Sequence, residues 1–565
     1  MEGIILDSFL IYVVLVILIV SAISIVTEVR NRIKTKKRIK EEWAKEREKK
    51  YTDEDWEDLK EYFNNIKKHK KDSFFIDEIT WNDLSMDKVF EKINSAETTV
   101  GEQYLYGMLR EIIYDENKLK SRDKMADYFR EHREDREKLQ YILSRLGKVK
   151  RVNISDYFLD NDGLDSSAVN WYRILGFVPV ISILIIFFNR SIGLNMLIAS
   201  ALVNFIVYYS VKKKITYKLE SFSYIVGIVK CGHSLYKEKL EILKPYEEDL
   251  KSSLNKVGKI KDALMLLNTS GSDIGIIIEY INAVFLISIT NYKSLSKLLI
   301  KNGEDFNEIF QVVGIIDSCI SIAAYRERLP YYVNPELLNQ KNKNNLSMVA
   351  KELSHPLIEK SVPNSITIKD SILLTGSNAS GKSTFLKTLA INVIFAQTTY
   401  TCLAKEFRIP FMQIFTSMAL KDNLFNNESY YIAETKSLKR IINSVNDHIP
   451  TICFVDEILR GTNTVERIAA SAEVLKYLTQ NNCICVAATH DVELTHILNN
   501  YFDNYHFREQ IITDEIIFDY KIYEGRSNTQ NAIKLLSILG YEKSIVENAN
   551  KRAEIFLKSG VWKED

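Results

Sequence analysis

Apolar residues recur along this chain in three rhythms: unbroken runs, helical spacing, and short β-like blocks. Ser8 to Thr27 is an uncharged run rich in Leu and β-branched residues, about 20 residues long and so able to cross a bilayer as a helix. Glu2 and Asp7 precede it, and Arg30, Arg32, Lys34, Lys36, Lys37, Arg38 and Lys40 follow it. That asymmetry predicts an outer N-terminus and a cytoplasmic continuation. A cleaved signal peptide carries its basic residues ahead of a shorter apolar stretch, so a retained anchor is the expectation. A second apolar region runs from Ile174 to Phe188, breaks at Asn189-Arg190, resumes from Ser191 to Val211 and stops at Lys212-Lys213-Lys214. Trp171, Tyr172, Tyr208 and Tyr209 mark its margins, as interfacial aromatics do. This predicts a helical hairpin with both flanks cytoplasmic, and three crossings in all. The first leg is short and holds Pro179, which leaves full span, tilt or re-entry open. A buried soluble hairpin is the alternative.

Helical spacing dominates elsewhere in the first two thirds. Ile33 to Lys71 is rich in Lys, Glu and Arg, a solvated helical stretch whose basic cluster suits either a plain spacer or anionic headgroups. Trp81 to Arg110 predicts a short extended piece and then an amphipathic helix, and Tyr217 to about Tyr325 a helical domain. Net charge is +1, which gives no general drive toward a polyanion. The six cysteines form no CxxC pair or zinc-like spacing, and several sit in apolar runs, as buried thiols do in a reducing compartment.

Short apolar blocks begin at Ile372-Leu373-Leu374-Thr375 and lead into Gly376-Ser377-Asn378-Ala379-Ser380-Gly381-Lys382-Ser383-Thr384. A helical pattern follows through Phe385, Leu386, Leu389, Ala390 and Val393. A strand, a GxxxxGKS loop and a helix form the context in which backbone N–H groups cradle phosphates at a helix start. Lys382 is placed to reach the β- and γ-phosphates of ATP, and Ser383 to put its hydroxyl on Mg²⁺. Thr451 to Val455 is a buried strand that ends in Asp456 and Glu457. Asp456 suits the Mg²⁺ and Glu457 the attacking water. A further apolar strand, Cys483 to Ala488, leads to Thr489-His490, and His490 is a candidate sensor of the γ-phosphate.

The residues Thr375 to Thr384 resemble the phosphate loop of the MutS mismatch-repair ATPases. Asp456-Glu457-Ile458-Leu459-Arg460-Gly461-Thr462-Asn463-Thr464 is similar to that family's DEIGRGTST, and Ala488-Thr489-His490 matches its ATH. Ser429-Tyr430-Tyr431-Ile432-Ala433-Glu434 resembles its serine-led signature segment ending in Glu. The resemblance implies ATPase domains that dimerise, with Ser429 approaching the partner's γ-phosphate and Asn463 and Thr464 at the same seam. Helix capping is the plainer role for Ser, Asn and Thr. It also takes in Ser354-His355-Pro356 and Gly525 to Ala549, and implies that Tyr520 stacks on adenine. Upstream, Val89 to Arg110 with Thr98-Thr99-Val100-Gly101 resembles the opening of the MutS helical core, and Asp317 to Leu337 its close. The hairpin then sits inside that core, which is shorter than a full lever-and-clamp arrangement. Phe129-Arg130-Glu131 and Phe507-Arg508-Glu509 carry the letters of the family's Phe-x-Glu mismatch wedge but not its setting. Neither mismatch recognition nor an appended nuclease domain is expected.

The expected fold is an α/β P-loop ATPase domain of the ABC/MutS-like kind, a mixed sheet flanked by helices. An all-α MutS core-like domain with transmembrane helices precedes it. The expected division is an anchor at 1–29, a charged helical linker at 30–80, core segments at 81–160 and 215–345 around a membrane hairpin at 161–214, and an ATPase domain at 346–565 with a C-terminal helical segment. The expected function is a multi-pass, cell-membrane ATPase with its catalytic domain in the cytoplasm, using ATP and Mg²⁺ and working as a homodimer through the ATPase domains. DNA and a protein partner stay open as ligands of the helical core. The alternatives are an ABC-transporter-like ATPase, which calls for an LSGGQ-type signature where this chain has Asn427-Glu428-Ser429-Tyr430-Tyr431, and a nucleotide-gated membrane scaffold.

Overall fold

A computed structural model describes residues 2–46, 50–150, 169–258, 273–339, 347–377, 380–418, 430–512, 515–527 and 532–562. The chain falls into two compact units. One comprises Met1–Asp72, Ile93–Met108 and Arg122–Arg328; the other comprises Ser73–Lys92, Leu109–Ser121 and Leu329–Asp565.

The first unit is helical. Its long helix Ile287–Arg328, kinked at Asn302, buries Ile309, Val313, Ile316, Ile320 and Ala323 at alternating spacings of four and three, the stripe that faces a core. The residues Ser296–Arg328 are long and apolar enough to cross a membrane, but 89% of their most apolar window is buried inside the protein, so this is a core helix. A carboxylate is built into that core. Asp317 accepts the N–H groups of Glu97 at 3.0 Å and Thr98 at 2.9 Å and the Thr98 hydroxyl at 2.6 Å. A Cβ on Gly101 would fall 2.2 Å from Asp317 Oδ2, so glycine lets the two helices approach. Burial pushes the Asp317 carboxyl up to about 6. Arg326, fully buried, pairs with Asp123 at 2.8 Å and Asp127 at 3.0 Å.

The apolar hairpin consists of helices Val169–Phe188, with Pro179 inside it, and Arg190–Lys237, whose N-cap Asn189 accepts the Ile192 N–H at 3.2 Å. Its legs Asn170–Phe188 and Arg190–Lys212 have mean hydropathies of 2.1 and 1.7 and bury only 11% and 22% of their windows. The second leg does not stop at the lysine cluster. The same helix continues into the unit's core, where Phe222, Ile225 and Val229 are buried. The N-terminal apolar run lies within the helix Glu2–Glu41, but most of its side chains lie outside the described ones.

In the second unit a six-stranded sheet is built from β1 (Ser371–Thr375), β2 (Gln413–Ser417), β3 (Thr451–Asp456), β4 (Cys483–Ala488), β5 (Phe502–Ile512) and β6 (Glu515–Glu524), in the order β6-β5-β1-β4-β3-β2. The first five are parallel and β6 is an antiparallel edge. Every residue of β1, β3 and β4 is buried, as their unbroken apolar runs require between two helical layers. Ala488 pairs with both Leu374 and Asp456, so the strands end side by side. A four-stranded sheet of Glu336–Leu338, Glu406–Pro410, Met348–Leu353 and Asn364–Ile368 lies in the same unit.

The unit's upstream pieces differ from the division expected above. Phe74–Phe75 pairs with Glu111–Ile112, and helix α1 (Glu78–Asp83) follows its N-cap Asp77. Trp81, 1% exposed, lies 4.1 Å from the buried Arg110 guanidinium, which pairs with Glu78 at 2.6 Å. Three further helices matter below: α2 (Lys382–Thr398), α3 (Tyr430–Ser444) and α4 (Thr464–Gln480). Phe129 and Phe507 are both buried, so neither Phe-x-Glu sequence presents a wedge.

Candidate functional site

The loop after β1 turns on two glycines with positive φ, Gly376 at 144° and Gly381 at 109°. A Cβ on Gly376 would sit 2.7 Å from the Phe507 carbonyl oxygen, so the turn has room only for glycine. Gly381 caps α2, and the helix opens with Lys382, Ser383 and Thr384. Free N–H groups and the positive end of the dipole therefore meet at this point. Lys382 folds back beneath its own loop and donates to the carbonyls of Gly376 at 2.8 Å and Ser377 at 2.9 Å. Burial lowers its ammonium below the usual lysine range, against the pull of Asp456, Glu457 and Glu509. The Ser377 hydroxyl donates to Glu509 on β5. Ser380 is buried, and among the described residues its hydroxyl has no partner.

The adjoining strand ends supply the acids and the histidine. Asp456, 8% exposed, closes β3; burial raises its carboxyl, and a hydrogen bond from Ser383 opposes the rise. Its Oδ1 is buried and has no hydrogen-bond partner among the described residues. An orphaned carboxylate oxygen beside a serine hydroxyl is a donor set that suits magnesium. Glu457 follows, ion-paired with Arg460 and 3.0 Å from His490 Nε2. His490 also lies 3.4 Å from Lys382 Nζ. The backbone fixes these positions: Glu457 N–H donates to Ala488 O at 2.9 Å and Thr489 N–H to Leu374 O at 2.9 Å. Arg467 on α4 grips Asp491 with two bonds of 3.0 and 2.6 Å, just beyond His490. Asn463 caps α4 by accepting the Glu466 N–H at 3.0 Å, and Thr464 opens the helix.

A cavity of about 210 Å³ opens beside Gly381, lined by His355, Val362, Thr384, Phe507 and Tyr520 among others. Tyr520, 46% exposed and at φ 54°, stacks on Phe518 with ring centroids 5.9 Å apart. His355 is 8% exposed, its Nδ1 accepts the Leu357 N–H at 3.1 Å, and burial lowers its imidazole to about 4.

Gly376, Ser377, Ser380, Gly381, Lys382, Ser383, Thr384, Asp456, Glu457, His490 and Tyr520 thus gather around one loop and one cavity. Asn378, Ala379 and Ser429 lie outside the described residues. Glu509 and the cavity wall at Phe507 carry no local sequence signal, since they reach the loop from a strand more than a hundred residues later.

Residues 372–556 match MutS domain V. Human MutS protein homolog 4 is 30% identical over 282 residues, covering 46% of this chain and 29% of that protein. The DNA mismatch repair protein MutS of Pseudothermotoga lettingae is 29% identical over 223 residues, covering 38% of this chain and 27% of its own length. That of Finegoldia magna is 28% identical over 340 residues, covering 56% and 38%. The chain therefore spans well under half the length of these relatives. On the strength of domain V, these matches support the MutS family for this chain.

Proposed function

We propose that this chain is a membrane-anchored MutS-like ATPase that binds ATP with magnesium, closes as a homodimer through its second unit, and reopens on hydrolysis. The observation that carries the reading is the convergence of Lys382, Asp456, Glu457 and His490 on the glycine-turned loop. Lys382 would release its two loop carbonyls and put its ammonium on the terminal phosphates. Asp456 and Ser383 would hold the magnesium ion, which when bound neutralises charge on the phosphate oxygens. Glu457 would orient and deprotonate the attacking water, and His490, hydrogen-bonded to it, would sense the γ-phosphate. Tyr520 would cover the base over the cavity at Gly381, and Ser429 would complete the partner's site.

The membrane part of the reading rests on the hairpin. Phe177, Leu184, Phe187, Ile192, Leu202 and Ile206 expose apolar side chains on helices long enough to span. Mismatch recognition, named for several relatives, is not carried over, because both candidate wedge phenylalanines are buried.

The test is ATP turnover by detergent-solubilised protein, wild type against Glu457→Gln, with plain, mismatched and branched DNA at two salt concentrations. Glu457→Gln is expected to bind ATP, accumulate as a closed dimer and lose turnover by roughly 10²–10⁴. Unchanged turnover in that variant contradicts the assignment of the base. Stimulation by DNA that weakens with salt identifies a nucleic-acid ligand; indifference to every DNA points to a protein or lipid partner.

A further inference from the structure

The turn that carries Glu457 is an unusual piece of backbone. Glu457 and Leu459 both have positive φ, 56° and 57°, and neither is glycine. Leu459 stands where the related motif has a glycine. Left-handed backbone at two side-chain-bearing residues persists only when its surroundings enforce it.

The Ala488 carbonyl on β4 fixes the Glu457 N–H at 2.9 Å, and beyond it the turn is held by a helix. Glu434, in the first turns of α3, accepts the backbone N–H groups of Leu459 and Arg460 in its half-buried carboxylate. One turn earlier Tyr431 covers Gly461 so closely that a Cβ there would lie 2.9 Å from the Tyr431 Cβ. Tyr431 and Glu434 are three apart and share a helix face. Ile458 and Leu459 are buried in the cluster that contains Leu438 and Ile441 of the same helix.

α3 is itself tied down. Arg440 donates to Asp77 at 2.6 Å and to the Thr416 carbonyl. Asp83 accepts the Thr416 hydroxyl at 2.6 Å and the Met418 N–H at 3.0 Å, and the Thr80 hydroxyl accepts the Thr416 N–H at 3.2 Å. The strap Asp77–Asp83 therefore holds the end of β2 and, through Arg440, the helix that holds the turn.

We propose that Glu434 is a positioning residue for Glu457, and that the Asp77–Arg440 pair sets where α3 carries it. The strap, α3 and the turn then form one mechanical line into the hydrolytic site. A displacement of the upstream segment moves the base without touching the nucleotide loop. This inference rests on Glu457 being the base.

The experiment uses the full chain in detergent, with steady-state ATP turnover, binding of a fluorescent ATP analogue and thermal melting measured in parallel. Wild type, Glu457→Gln, Glu434→Gln, Glu434→Asp, Asp77→Asn and Arg440→Lys are compared. Glu434→Gln keeps the shape but removes half of the acceptor pair. It is expected to lower kcat by about tenfold to a hundredfold, as misplacing a base by a fraction of an ångström does. KM, analogue affinity and melting temperature should stay within about twofold or a few degrees, the signature of an interaction felt in the transition state alone. Glu434→Asp, which retains both acceptors on a shorter arm, should recover part of kcat, and Asp77→Asn and Arg440→Lys should show the same split more weakly. If wild type is active and Glu457→Gln dead while Glu434→Gln turns over normally, the positioning role is wrong. If kcat, affinity and melting fall together, the residue is merely structural and the proposal is overturned. If Glu457→Gln is as active as wild type, the base assignment fails first and takes the inference with it.

Discussion

His355 makes a clear pH prediction at the scale of one residue. Its Nδ1 accepts a backbone N–H from Leu357, which requires a lone pair, and burial holds its imidazole near 4 against 6.5 when free. Above pH 6.5 both folded and unfolded chains keep it neutral, and nothing is lost. Between 6.5 and about 4 the unfolded chain takes a proton that the folded chain refuses, so stability falls as pH falls through that window. From pH 7 to pH 5 the loss from this residue is about 2 kcal/mol. His355→Asn retains an acceptor for Leu357 and cannot titrate. Melting curves between pH 5 and 7 should therefore be flatter for the variant; identical slopes would show that His355 does not sense acid. Residues of this kind divide what the sequence could tell from what it could not. Gly376, Gly381 and Lys382 were legible because the strand, loop and helix are contiguous and their chemistry is local. Glu509, bonded to Ser377, and the cavity wall at Phe507 were not, since only the pairing of β5 with β1 brings them there.

At the scale of elements, the hairpin was legible as two apolar runs, the second bounded by the lysines, but pattern alone did not show that one helix carries on through them. A switch from apolar to charged residues marks a change of surroundings, not an end of hydrogen bonding, and the helix Arg190–Lys237 runs on for lack of any Gly or Pro near the switch. An amide and an ion pair, Lys212 with Glu279 at 2.5 Å, join the hairpin to the helix Asp273–Phe285. Asn204, 1% exposed, donates to the Leu175 carbonyl at 2.9 Å and to the Val284 carbonyl at 2.7 Å. Val284 lies in the last turn of helix Asp273–Phe285, where carbonyls lack intrahelical partners, and Leu286 at φ 52° ends that helix. Gly176 permits the approach, because a Cβ there would meet the Phe285 oxygen at 2.3 Å. Asn204→Leu preserves bulk but strands two carbonyls in apolar surroundings, at a cost of about 1–2 kcal/mol. The melting temperature in detergent should drop by a few degrees, with ATP turnover per folded molecule unaltered. No drop would show that the helix end is satisfied some other way.

At the scale of the molecule, local pattern separated a helical half from an α/β half but misplaced the upstream strap. Asp77 and Arg440 are 363 positions apart, and their pairing leaves no trace in spacing or periodicity. The membrane reading is the whole-molecule statement most open to direct measurement. The legs of 19 and 23 residues reach about 28 and 34 Å as helices, against a hydrocarbon core of about 30 Å. An outer N-terminus and a hairpin that goes out and returns put the turn at Asn189-Arg190-Ser191 outside. All six cysteines are buried, so a single introduced thiol on the surface can be read cleanly. Ser191→Cys is a conservative change at that exposed turn, and Tyr477→Cys, at a position 49% exposed on α4, reports the cytoplasmic side. In sealed right-side-out vesicles an impermeant maleimide should label Ser191→Cys at once and Tyr477→Cys only after lysis. Labelling of both only after lysis would put the turn on the inner side and end the spanning reading, leaving the exposed apolar legs to be covered by protein. Labelling of Tyr477→Cys before lysis and of Ser191→Cys only after it would invert the expected orientation and place the ATP site where ATP is scarce, which would remove the functional proposal along with the topology.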